Sequence, residues 1–168
     1  MKLHSSLTVN GRVYNAGEEI PGYFVYPFFL VHMLAFGLAG FAMAYGGVPV
    51  EMVYMHGGIA ILVYLVFYLS IFGPDEVKWM FINAGLGLFG IVSQIDWILS
   101  LFGKSVGDFP WYVHLVPFLY FVLYTFLLRH AILDLAGVRE DETTRPRVEY
   151  GFVGVSMAFY VLAHFLEG

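Results

Sequence analysis

Apolar residues run along this chain in five long blocks, each separated from the next by glycine, proline or charge. A helix needs about 20 mostly apolar residues to cross a hydrocarbon core of about 30 Å. Residues 23–45, 52–72, 77–101, 111–135 and 148–166 meet that requirement. Between them stand Gly46-Gly47-Val48-Pro49, Gly73-Pro74-Asp75 and the stretch from Gly103 to Pro110, whose residue types end helices and make turns. The pattern therefore predicts an all-α fold, a polytopic integral membrane bundle of about five transmembrane helices. It divides the chain into a cytoplasmic tail, residues 1–22, and a transmembrane domain, residues 23–168. Within the tail, Leu7-Thr8-Val9, Asn10-Gly11 and Arg12-Val13-Tyr14 match a two-residue hairpin, because Asn-Gly accepts the positive φ of a type I′ turn. An isolated hairpin is marginal in water, so it should rest on the helices.

Composition supports the membrane assignment. The 168 residues are 60% hydrophobic and 12% charged, against roughly 25% charged residues in a soluble globular chain. A net charge of −5 and the lack of a basic tract argue against a nucleic-acid partner. With no cysteine, disulfides, thiolate metal sites and cysteine nucleophiles are excluded. The first 21 residues are polar and have no apolar core ahead of a cleavage site. They do not read as a signal peptide, so the first span is expected to direct its own insertion.

Basic residues stay preferentially on the cytoplasmic side. With the N-terminus inside, Lys2, Arg12, Lys78, Arg129, Arg139, Arg145 and Arg147 are inside and only Lys104 is outside, a split of 7 to 1. The expected topology is N-terminus cytoplasmic and C-terminus outside. Tyr23, Phe24 and Tyr26 mark one interface, and Trp97, Trp111 and Tyr112 the other.

Lipid gives helices no hydrophobic reason to associate, so close packing relies on small residues and interhelical hydrogen bonds. Gly37, Gly40 and Ala44 share one face of the first span. In a straight third span, Asn83, Gly87, Gly90 and Gln94 fall in one narrow stripe, and this stripe is expected to face protein.

The candidate chemistry lies in the histidines. Topology puts His56, His114 and His164 near the outer surface on three helices, with Asp96 at the same level and Glu51 nearby. Two readings are open. Either the residues simply sit at the interface, where water and headgroups tolerate them, or they gather around a transition metal or, through two axial imidazoles, haem b. Met52, Met55 and His56 share a helical face and give a copper variant of the metal reading. His32 with His130 is the candidate inner haem pair, although His114 and His130 point about 160° apart around the fourth span. Tyr64 and Tyr68 share a face that suits a pocket for quinone, porphyrin or lipid, or plain packing. Arg129, His130 and Asp134 look like an interfacial cluster whose long side chains reach for water. No nucleophile motif, phosphate loop or metalloprotease motif occurs.

The leading functional expectation is a non-catalytic accessory subunit or small-ligand-binding module, with lipid and other membrane subunits or a second copy as partners. The alternatives are a haem- or metal-bearing redox subunit, and a membrane enzyme or transporter for a lipophilic substrate or an ion.

Overall fold

The computed structural model describes residues 3–9, 11–20, 22–138 and 141–166. Among the described residues two short strands, β1 (Leu7–Val9) and β2 (Arg12–Tyr14), precede six helices: α1 (Gly22–Tyr45), α2 (Val50–Phe72), α3 (Pro74–Leu86), α4 (Leu88–Ser100), α5 (Leu115–Leu135) and α6 (Arg145–Leu166). Two 3-10 turns, Val106–Asp108 and Trp111–His114, lie between α4 and α5.

The fold is built around α5. Val116, Tyr120, Leu123, Phe126, Leu127, His130 and Leu133 bury different sides of this helix, and α1, α2, α3, α4 and α6 all pack against it. The outward side chains of α1 and α2 are as apolar as the inward ones. Val31, Leu34, Leu38, Ile59, Leu62 and Val66 are exposed, which suits a surface that meets lipid and would be unfavourable in water.

The hairpin forms with Leu7 opposite Tyr14 and Val9 opposite Arg12, and Gly11 takes the positive φ (77°) its turn requires. It rests on the bundle. The last carbonyls of a helix lack intrahelical partners; here the His4 and Ser5 N–H groups donate to Ile71 and Ser70 of α2 at 3.3 and 3.0 Å. Leu3 is buried beside this contact.

The third apolar block departs from expectation. It forms two 13-residue helices, α3 and α4, which meet at 70° across Gly87. The local cause is in the sequence: Gly85, Gly87 and Gly90 fall within six residues, and each glycine costs a helix about 1 kcal/mol relative to alanine. Asn83, Gly87, Gly90 and Gln94 therefore do not form one stripe on a straight helix. Asn83, Gly87 and Gly90 are exposed on the described chain and Gln94 is half-buried. A Cβ added at Gly90 would meet nothing within 4 Å.

The α3–α4 pair still runs the length of α5. Glu76 of α3 lies beside His130, while Asp96 of α4 holds the turn that contacts His114. Those two histidines are 16 residues apart, about 24 Å along a helix. Among the described residues, three helices are long and apolar enough to cross a membrane, or four if the bent pair counts as one. The expectation of five is met only to that extent, because α6 is not among those that qualify.

Candidate functional site: an apolar cavity with a polar mouth

A cavity of about 520 Å³ lies between α1, α4 and α5. The floor is Tyr120, whose ring lies across Gly37 and Gly40 of α1; Cβ atoms built there would come 3.6 and 3.3 Å from it. Ala42, Ile98, Leu99, Phe121 and Tyr124 contribute to the walls. Small-molecule sites commonly occupy 300–1,000 Å³ and are mainly apolar with a few placed polar groups, a description this cavity fits. The Tyr120 hydroxyl is buried and has no hydrogen-bond partner among the described residues.

The end of the cavity at Tyr45 and Lys104 adjoins a hydrogen-bonded loop. His114 Nε2 lies 3.2 Å from the Val106 carbonyl, and its Nδ1 lies 2.8 Å from the Tyr45 hydroxyl. A carbonyl only accepts, so Nε2 carries the proton and Nδ1 accepts from Tyr45. Asp96 holds the same loop from α4, accepting from the Ser105 hydroxyl at 3.1 Å and the Val106 N–H at 2.7 Å. Lys104 donates to the Tyr45 carbonyl at 2.6 Å. It thereby places a cation at the C-terminus of α1, where the helix dipole favours one.

A second polar cluster lies farther along α5, beyond the residues that line the cavity. His130 is 1% exposed, with its ring between Phe72 and Phe126 at 4.4 and 4.3 Å. Nδ1 lies 3.0 Å from the Phe126 carbonyl and Nε2 lies 3.6 Å from Glu76 Oε2. Arg129 pairs with Glu149 of α6, and Asp134 accepts from the Tyr26 hydroxyl of α1. Three neighbouring polar residues of α5 therefore tie down three different helices. Arg145 joins the group through Glu149 at 3.0 Å and Glu76 at 3.9 Å. In the loop before α6, hydrogen bonds from Thr143 and Thr144 hold the Asp141 carboxyl well below the usual carboxylate range.

No family model, characterised protein or solved structure matches this chain.

The histidines named from the sequence occupy separate settings. His56 stacks on Phe36, whereas His114 bonds to Tyr45; these α1 positions are nine residues, about 13 Å, apart. His164 lies among the residues whose side chains fall outside the described set. Met52 and Met55 are exposed while His56 Nε2 is buried without a partner among the described residues, so the copper trio does not converge. His32 is exposed and bonds locally to the Phe28 carbonyl at 2.8 Å. His114 has both ring nitrogens hydrogen-bonded within the chain, and His130 Nε2 faces the Glu76 carboxylate in a buried setting between two phenylalanine rings. Among the described residues, no three His, Asp or Glu side chains are grouped to hold a metal ion.

Sequence reasoning missed Glu76 and Tyr45. Glu76 stands just before the third apolar block, beyond Gly73-Pro74, where it read as part of a turn. The available signal was that the expected topology puts it at the same membrane level as Arg129 and His130. Tyr45, one aromatic among many at a span end, gave no signal.

Proposed function

We propose that this chain is a non-catalytic membrane module that holds a small lipophilic molecule between α1, α4 and α5. The observation that carries this reading is the 520 Å³ cavity with apolar walls. In this reading the N-terminus is cytoplasmic and the C-terminus outside, with α1, α2, the α3–α4 pair, α5 and α6 crossing in turn. The 7 to 1 split of basic residues supports that orientation. Reporter fusions at the two termini should then report opposite sides of the membrane; both on one side would overturn the topology. The exposed break at Gly87 favours a protein neighbour, either a second copy or another subunit, because irregular backbone is not left facing lipid.

One experiment tests the binding reading and the copy number together. Protein extracted in mild neutral detergent is examined by native mass spectrometry, beside Ala42→Phe. Ala42 lines the cavity yet is exposed on the chain, so the larger ring should fill the site without disturbing buried packing. Wild type is expected to carry or take up a lipophilic small molecule, and Ala42→Phe to hold it at least tenfold less tightly at unchanged folded yield. Equal binding by both proteins, or none by wild type, would overturn the reading.

A further inference from the structure

We infer that the occupant of the cavity is a long-chain carboxylate, with its chain along α1 and its head group at Lys104. This rests on the binding reading above and assigns the ligand class.

The first observation is an unspent charge. Lys104 is exposed and lines the cavity mouth beside Tyr45 and Gly46. An ammonium has three N–H donors, and here one is used, on the Tyr45 carbonyl at 2.6 Å. The ammonium also lies 5.8 Å from the centre of the Phe109 ring. Among the described residues no carboxylate lies within ion-pair distance of it. The nearby acids are committed to the loop: Asp96 to Ser105 and Val106, and Asp108 to the Ser105 N–H at 2.7 Å. The bond to Tyr45 fixes the charge at the mouth, so an anion arriving there meets a placed donor.

The second observation is shape. Along α1 the lining runs from Met33 to Gly46, 13 residue steps or about 20 Å. That exceeds one leaflet's share, about 15 Å, of a 30 Å hydrocarbon core. A groove of this length with one cation at its end matches one extended acyl chain carrying one negative charge. A phospholipid would leave its second chain outside. A neutral lipophile would leave the ammonium without a counter-charge. Arg129 and Arg145, at the opposite end of α5, are already paired with Glu149.

The test titrates protein in neutral detergent with palmitate, hexadecanol and phosphatidylglycerol, reading binding from the shift in thermal unfolding and from native mass spectrometry. Palmitate is expected to bind wild type at least tenfold more tightly than hexadecanol, with the margin narrowing as salt rises. Lys104→Met should abolish the margin, and Lys104→Arg should keep it. Equal affinity of wild type for palmitate and hexadecanol would overturn the carboxylate assignment, and this comparison needs no variant to fold. Binding of both would then leave the cavity reading standing, whereas binding of neither would remove both. Phosphatidylglycerol outcompeting palmitate would overturn the single-chain assignment.

Discussion

Gly57→Leu is expected to destabilise the folded protein by about 3 kcal/mol, the upper end of the cost of overpacking a well-filled interior. A Cβ at this buried position would sit 2.3 Å from Val116 Cγ1, closer than atoms can approach. Val116 cannot easily turn away. Its branched side chain has one strongly preferred χ1 in a helix, and the same Cγ1 already lies 3.6 Å from where a Cβ at Gly40 would be. The side chain is held between α1 and α2, so relief requires moving a helix. Gly58 is the control, because a Cβ there meets nothing within 4 Å. Gly58→Leu should stay within about 0.5 kcal/mol of wild type, as substitutions clear of packed contacts do. Thermal unfolding in detergent reads both. Equal losses at the two glycines would show that close approach of α2 to α5 is not what Gly57 provides.

Gly57 also shows what could not be read in advance. Gly37 and Gly40 stood out because three small residues repeat along one face of α1. Gly57 stands beside Gly58 with no repeat around it, and only the neighbour across the interface separates the two. The helical blocks themselves were legible, because apolar length is local information and lipid leaves few ways to satisfy the backbone. The hairpin was legible for a similar reason, since Asn-Gly specifies its own turn. The stripe on the third block failed because it assumed 100° per residue across three glycines, and one break at Gly87 rotates everything beyond it. The histidines were sorted by depth alone. Depth places His56 and His114 near one end but does not reveal that one ring faces Phe36 and the other Tyr45. The cavity was only hinted at by the aromatic content, because it is a space between three helices and no single helix encodes it.

His130→Ala is expected to cost about 3–5 kcal/mol, in the range measured for truncating a large buried ring. Two losses combine. The ring fills the space between Phe72 and Phe126 at 1% exposure, so its removal leaves a cavity between α2 and α5. It is also the buried partner of Glu76, and without it Arg145 at 3.9 Å is the remaining ion-pair partner of Glu76 among the described residues. Two further variants separate these terms. His130→Leu restores much of the volume without the polar link and should cost about half as much. Glu76→Gln keeps the ring and removes the negative charge. Glu76 is 35% exposed at its side chain, so water screens the pair, and the loss should stay near 1 kcal/mol. The expected order is therefore His130→Ala, then His130→Leu, then Glu76→Gln, measured as falls in thermal stability. Should Glu76→Gln cost as much as His130→Ala, charge pairing and not ring packing would be what fastens α3 to α5 at this end of the bundle.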